Sequence, residues 1–208
     1  MKGLLLKDFY IMRDSSLIMV LTMLIVGVAL AVLSSPWLLI VVATTSLSMA
    51  AVTTISNDKI TQWDKFSATL PVSRTQIISS KYYMYALLGI IGIVLGTIVS
   101  IPVSVLMHSF DVSSLLMYSF LSIIISFLPG SVNIPFSYLL EVENSIVGLI
   151  LSYVVTAGAF AGLRFLLSNF MDIEENILFI YGIVAAFSII AYLFSWLMFP
   201  KRISRKDM

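Results

Sequence analysis

The fold is decided where a long apolar run meets a polar segment. Residues 37–56 read WLLIVVATTSLSMAAVTTIS, and residues 57–81 read NDKITQWDKFSATLPVSRTQIISSK. The apolar run has no charged side chain and is about as long as the ~20 residues that a helix needs to cross a ~30 Å hydrocarbon core. The segment after it holds two Asp, one Arg and three Lys. Together they indicate a membrane-spanning helix followed by an organised polar connection.

The composition of the whole chain points to the same environment. The 208 residues are 60% hydrophobic and 11% charged, with a mean hydropathy of +1.05, whereas about a quarter of the residues in soluble domains are charged. A net charge of +1 without a basic face argues against a nucleic-acid partner. The absence of Cys excludes disulfides and thiolate metal sites, and a single His108 excludes a centre with several His ligands.

Six apolar runs are long enough to be transmembrane helices. They are continuous rather than alternating in polarity, which favours helices over barrel strands. No polar stretch is long enough for a soluble domain, so residues 1–208 are predicted to form a single all-α transmembrane domain. A further interfacial helix is predicted within residues 1–16. The predicted spans are Leu17–Leu33, Trp37–Ser56, Tyr82–Met107, Leu115–Leu139, Ser145–Leu167 and Ile177–Phe199.

The distribution of basic residues predicts the orientation. Eleven of the twelve Lys and Arg residues fall in segments 1–16, 57–81, 140–144 and 200–208. Cytoplasmic loops carry such an excess, so both termini are predicted to be cytoplasmic. The exception is Arg164, in the outer half. Its charge is predicted to pair with Asp172, Glu174 or Glu175, and the alternative is a gate or substrate contact.

The polar segment is predicted to contain an amphipathic helix on the cytoplasmic surface. If residues 60–70 are helical, one face is apolar and the other polar, by the three-to-four-residue period. The apolar face would hold the segment on the membrane or the bundle, and the polar face would be free for a cytoplasmic partner. The alternative is a solvated loop. The apolar face is formed by Ile60, Trp63, Phe66 and Leu70, and the polar face by Thr61, Gln62, Asp64, Lys65 and Thr69.

A second helix is predicted to begin directly after the first. Pro71 ends the first helix, because the residue before a proline disfavours helical geometry. Ser73 and Gln76 then have the spacing of a capping box, so Arg74 should open a helix that continues into the third span. Three tyrosines at its start, Tyr82, Tyr83 and Tyr85, are predicted to form an aromatic belt at the interface.

Two spans contain residues that disturb or tighten helices. The fourth span includes LPGSVNIP, with Pro129, Gly130, Asn133 and Pro135. A structural kink is one interpretation, with neighbouring groups satisfying the freed carbonyls, and a broken helix on a transport pathway is the other. The fifth span has small residues at Gly148, Gly158 and Gly162, which are predicted to allow close helix packing.

No enzymatic motif is found in the chain. There is no GxxxxGK[ST] phosphate-binding loop, so energy for any active process must come from a partner. Glu174 and Glu175 could suggest an intramembrane glutamate pair, but they fall in a predicted outside loop and the chain has only one His. We therefore expect no catalytic, metal or cofactor site in this chain.

Three elements of the sequence resemble the small membrane subunits of ABC-2 type exporters. These are the N-terminal KGLLLKDFYIMR at residues 2–13, the run ATLPVSRTQIISSKYY at residues 68–83, and the six-span layout with a long second cytoplasmic segment. The first is similar to the interfacial helix that opens these permeases. Within the family, the small size resembles the permeases of staphylococcal-type exporters of phenol-soluble modulins.

The resemblance implies a subunit of an ATP-driven exporter in a bacterial plasma membrane. Two permeases, as a homodimer or a heterodimer, would pair with two subunits that bind ATP and Mg. The segment from Asp58 to Leu70 would be the coupling helix that transmits their closure. Its implied contacts to the ATPase are Asp58, Gln62, Asp64 and Lys65, with Trp63, Phe66 and Leu70 as its anchor.

The substrate implied by the narrower resemblance is an amphipathic peptide. The scarcity of ionisable residues within the spans is consistent with an apolar cavity and an alternating-access mechanism. One departure from the family is the loop LEVENS, where Glu141 and Glu143 replace the expected basic residues of a second ATPase contact. The alternatives are another substrate, such as a bacteriocin, an antibiotic or a lipid-like molecule, and a membrane scaffold or regulator that transports nothing.

Overall fold

The computed structural model describes residues 2–67, 69, 71–140, 144–168 and 176–206. Within these residues the chain forms seven helices and no strand, which confirms the all-α prediction. The helices are α1 Lys2–Leu33, α2 Leu38–Ile60, α3 Trp63–Ser67, α4 Arg74–Leu106, α5 Val112–Leu139, α6 Ser145–Ser168 and α7 Ile177–Lys206. Five of them, namely α2 and α4 to α7, are long and apolar enough to cross a membrane.

The first helix differs from its prediction. The sequence indicated an interfacial helix followed by a separate span, and the structure has one uninterrupted helix from Lys2 to Leu33. The reason is local, because residues 4–26 contain neither Gly nor Pro to interrupt a helix. Its apolar stretch Val20–Leu30 is shorter than the five spans, so the sixth span stays a prediction.

Helices α2 and α4 pack with their backbones in close contact. A Cβ atom added to Gly92 would lie 2.5 Å from the Thr44 Cα, and one added to Gly96 would lie 2.6 Å from the Ile40 Cα. Only glycine permits this approach. Around Gly158 and Gly162 no atom of the described residues lies within 4 Å of such an atom, so these two glycines make no close helix contact within the part of the chain that the structure describes. Helix α6 is apolar all round, and its sequence therefore does not show which face meets a neighbour.

Helix α5 is continuous through its two prolines. Pro135 has no N–H to donate to the Ser131 carbonyl, four residues earlier. The Ser195 hydroxyl on α7 donates to that carbonyl instead, at 2.6 Å. Pro129 and Gly130 are buried, and a Cβ on Gly130 would lie 2.5 Å from the Tyr85 ring. These residues therefore form a packed joint between α4, α5 and α7.

The tyrosines at the start of α4 form part of the core. Tyr82 and Tyr85 are fully buried, so the prediction of an aromatic belt is wrong for both. The Tyr85 hydroxyl donates to the Ser126 carbonyl at 2.6 Å, and Tyr192 donates to the Tyr82 carbonyl at 2.7 Å. Only Tyr83 of the three is exposed, and it packs edge-on against Trp196. The aromatic-belt rule gives a depth in the membrane but not a helix face.

Candidate functional site

Four charged side chains meet where α1, α2 and α4 come together, and we call them the charge cluster. Lys81 on α4 places its Nζ 2.7 Å from Asp8 Oδ1 on α1 and 2.6 Å from Asp58 Oδ2 on α2. It also donates to Thr54 Oγ1 at 3.0 Å. Lys7 Nζ lies 2.5 Å from Asp58 Oδ1 and 3.4 Å from Asp8 Oδ1. Two cations are thus shared between two carboxylates.

Three of the four side chains of the charge cluster are buried, and Lys7 is partly exposed. Asp8, Lys81 and Asp58 are 0%, 2% and 5% exposed. Buried charges persist only when they are paired and hydrogen-bonded, and the formal charges of the four residues sum to zero. Asp8 Oδ2 is buried and has no hydrogen-bond partner among the described residues. The cluster therefore holds three helices together at the end of the bundle that α3 adjoins.

The polar segment between α2 and α4 is divided differently from its prediction. Helix α2 extends through Ile60, and α3 begins only at Trp63. Between them Gln62 adopts a positive φ of 54°, which ends one helix and redirects the chain. The predicted single helix over residues 60–70 is therefore wrong. Asp58 belongs to α2, and Leu70 lies outside the described residues.

Helix α3 contacts the charge cluster through Trp63. The Lys7 Nζ sits 4.3 Å from the centre of the Trp63 ring, a cation–π contact that couples α3 to α1. The Trp63 and Phe66 rings pack at 5.3 Å, while Ile60 and Phe66 remain more than half exposed. Among the described residues of the predicted apolar face, Trp63 is the one that contacts the charge cluster.

The predicted ATPase contacts occupy different environments. Asp58 is buried in the charge cluster, so its carboxylate is not on a surface that a partner could reach. Gln62 is exposed and forms the turn before α3. Asp64 and Lys65 lie on α3, and their side chains are outside the part of the chain that the structure describes.

The restart of the helix is as predicted. The backbone N–H of Gln76 donates to Ser73 Oγ, and the Ser73 N–H donates to Gln76 Oε1, both at 3.3 Å. This reciprocal capping box opens α4 at Arg74. Pro71 lies in the bend just before it. The start of α4, which carries Lys81 into the charge cluster, is therefore fixed by local hydrogen bonds.

Lys59 joins the end of α2 to the end of α5. Its Nζ donates to the Leu140 carbonyl and, at 3.3 Å, to the Tyr138 carbonyl. A cation is favourable there because the last carbonyls of a helix carry partial negative charge. The loop that follows holds Glu141 and Glu143, which lie outside the described residues.

A cavity of about 200 Å³ lies beside α3. It is lined by residues of α3, α4, α5 and α7, including Ser67, Ile77, Tyr138 and Ile203. Helix α3 thus contacts the charge cluster through Trp63 and lines this cavity through Ser67.

The scan of protein families matches residues 3–200 to the model described as ABC-2 family transporter protein. The chain belongs to the ABC-2 transporter family. Searches of curated proteins and of solved structures give no match. The family makes this chain the membrane permease subunit of an ABC transporter, which works with an ATP-binding partner.

Sequence reasoning missed most of the charge cluster of this ABC-2 permease. Asp8 and Lys7 were assigned to an interfacial surface helix, and Lys81 was treated only as a cytoplasmic basic residue. A usable signal was present, because Asp58 and Lys81 each border an apolar run of about span length. Charges at such positions face the protein interior or another charge, and pairing opposite signs would have suggested the contact.

The remaining predicted residues lie elsewhere in the permease. Asn133 on α5 is buried, accepts a hydrogen bond from the Ser137 hydroxyl at 3.3 Å and contacts the Met49 sulfur at 3.9 Å. Arg164 lies on α6, but its side chain and its predicted acidic partners at residues 172–175 are outside the description. Within the described residues, no group of three or more His, Asp or Glu side chains is placed to hold a metal ion.

Proposed function

We propose that this ABC-2 permease exports amphipathic or hydrophobic peptides by alternating access, powered by a separate ATPase. Two permease chains, identical or different, would pair in the lipid of a bacterial plasma membrane and receive two ATP-binding subunits from the cytoplasm. ATP and Mg would be bound by those subunits. Family membership supports the permease role, and the small size, the few ionisable residues in the spans and the resemblance to phenol-soluble modulin exporters support the peptide substrate.

The proposed topology has six spans with both termini in the cytoplasm. The apolar stretch Val20–Leu30 of α1, with the residues that flank it, would supply the span beyond the five that length and hydropathy identify. The excess of Lys and Arg in the termini and in the segment before α4 supports this orientation. In this orientation, α3, the charge cluster and the Lys59 contact would lie on the cytoplasmic side, where an ATPase would dock.

The coupling role rests on one observation, the contact of α3 with the charge cluster. Lys7 bridges the two, since it lies over the Trp63 ring and pairs with Asp58. A displacement of α3 would therefore be transmitted to α1 and α2 through Lys7, and to α4 through the contact of Asp58 with Lys81. In this proposal Gln62, Asp64 and Lys65 meet the ATPase, whereas Asp58 holds the helices together from inside.

Charge reversal on α3 tests this proposal. The permease and its ATPase are co-expressed and purified, and ATP-dependent uptake of a capped Leu/Lys amphipathic peptide is measured in inside-out vesicles. We expect Asp64→Lys and Lys65→Glu to reduce both ATPase co-purification and peptide uptake. Lys201→Glu, at an exposed position on α7, is the matched control and should leave both unchanged.

Two outcomes would contradict the proposal in different ways. If α3 variants assemble and transport normally, α3 is not the coupling helix. If no ATPase co-purifies with the wild-type chain, the protein is better described as a membrane scaffold or regulator than as a transporter subunit. If the complex uses ATP to transport a lipid-like molecule or an antibiotic instead of the peptide, only the proposed substrate is wrong.

A further inference from the structure

A cavity of about 170 Å³ lies between α2, α5 and α6. For scale, an apolar cavity of ~150 Å³ in another protein accommodates a benzene molecule. The space is therefore sufficient for one side-chain-sized group. Its described lining residues include Met49, Val52, Thr53, Asn133, Ser137 and Leu149. None of the described lining residues is ionisable.

Asn133, the one side-chain amide among the described lining residues, has a donor that these residues satisfy poorly. Asn133 is 1% exposed, and its Oδ1 accepts a hydrogen bond from the Ser137 hydroxyl. Its Nδ2 carries two N–H donors, and among the described residues it contacts the Met49 sulfur at 3.9 Å, a weak acceptor. Leaving a buried donor without a good acceptor is unfavourable. A carbonyl oxygen entering the cavity would satisfy it.

We propose that this cavity binds an apolar side chain of the exported peptide, whose adjacent backbone carbonyl accepts a hydrogen bond from Asn133 Nδ2. The proposal rests on the proposed function and adds the chemistry of recognition. A peptide places an apolar group directly beside a carbonyl, as the lining requires. A phospholipid carries a phosphate, and the described lining residues offer no cation for it.

The position of the cavity suits a site that ATP binding would change. Asn133 lies six residues before the end of α5 at Leu139, which is ~9 Å along a helix. Helix α2 supplies Met49 and Thr53 to the cavity and, further along, Asp58 to the charge cluster. Movement of the α2 end would therefore alter both the coupling contacts and the peptide site.

Site-specific photocrosslinking tests the proposal. A benzophenone amino acid replaces Leu149, which lines the cavity and is 37% exposed, or its neighbour Ile150 on α6, which is 55% exposed and is not among the described lining residues. The permease–ATPase complex in lipid nanodiscs is exposed to a biotinylated, capped Leu/Lys amphipathic peptide. We expect saturable labelling from position 149 and lipid adducts from position 150. In the otherwise unmodified complex, Asn133→Leu should weaken peptide binding about ten-fold, the effect of one lost hydrogen bond.

A second pair of variants separates loss of the site from loss of folding. Leu149→Trp fills the cavity and should abolish peptide binding, while Ile150→Trp on the outer surface should leave it intact. The proposal is overturned if position 149 labels only lipid or a second copy of the chain, or if folded Asn133→Leu binds the peptide normally. If the wild type binds the peptide at this site but never transports it, export fails and the site stands. If the peptide is transported and Asn133→Leu changes neither binding nor transport, the proposed export function stands and the proposed site is wrong.

Discussion

Replacing Lys81 with Met is the sharpest perturbation of the charge cluster. Methionine preserves the length of the unbranched apolar stem, with sulfur in place of the Cδ methylene, and removes the ammonium group. The Nζ atom currently makes three contacts, to Asp8 at 2.7 Å, Asp58 at 2.6 Å and Thr54 at 3.0 Å. After the change, Lys7 is the only cation of the cluster that remains for two buried carboxylates.

The loss of unfolding free energy in Lys81→Met follows from the burial of the two carboxylates. Lys7 already pairs with Asp58 at 2.5 Å and lies 3.4 Å from Asp8, so one carboxylate is left poorly compensated. Removing one partner of a buried ion pair costs ~3–5 kcal/mol. Hydrogen bonds to charged groups are worth roughly 1.5–3 kcal/mol each, so the loss of two gives a similar value. We expect Lys81→Met to reduce the free energy of unfolding by about 3–5 kcal/mol.

Unfolding of the purified permease by sodium dodecyl sulfate in mixed micelles, followed by helicity and tryptophan fluorescence, measures this loss. The double variant Lys81→Met with Asp8→Asn restores the charge balance and should recover more than half of it. Lys201→Met removes an exposed ammonium and should change stability by less than ~0.5 kcal/mol. The reasoning is refuted if Lys81→Met resembles the Lys201 control, or if the effects of the two cluster substitutions simply add.

Three further predictions concern the helix contacts and ends. Gly92→Ala should destabilise the bundle by about 1–3 kcal/mol through overpacking, whereas Gly158→Ala, with open space around it, should not; the same unfolding assay compares them. Ser73→Ala should cost ~1 kcal/mol, seen as faster hydrogen exchange at the start of α4. Hydrogen bonds from Ser114 lower the pKa of Asp111 in the folded protein. The Asp111 cap therefore stabilises the start of α5 fully at pH values above the unfolded-state pKa. This stabilisation is lost as the pH falls through the folded-state pKa. Asp111→Asn should remove that pH dependence of exchange.

Local features of this protein could be predicted from its sequence because their causes are local. The capping box at Ser73 and Gln76 needs only two side chains three residues apart, and the structure contains it. The all-α class follows from apolar runs that only helices can satisfy in lipid. The break at Gln62 was missed because a positive φ in a residue other than glycine has no sequence signature.

Tertiary features could not be predicted in the same way. Asp8 and Lys81 are separated by 73 positions in the chain, and no local pattern links them. Tyr82 and Tyr85 were assigned to the lipid interface, yet the structure turns that face of α4 toward α5 and α7. In a helix that is apolar on every side, hydrophobicity does not identify the buried face, so its rotation is set by packing alone.

The charge cluster also limits how the bundle can move. Lys81 bonds to both carboxylates and Lys7 contacts both, so separating any one of α1, α2 and α4 would leave a buried charge without its partner. That penalty is a large share of a typical stability of ~5–15 kcal/mol, and the three helices must therefore move together. Helix α6 has open space at Gly158 and Gly162 and no described residue in the cluster. In the proposed mechanism, a change driven from α3 would move α1, α2 and α4 together relative to helices without a described residue in the cluster, such as α6, which lines the cavity beside Asn133.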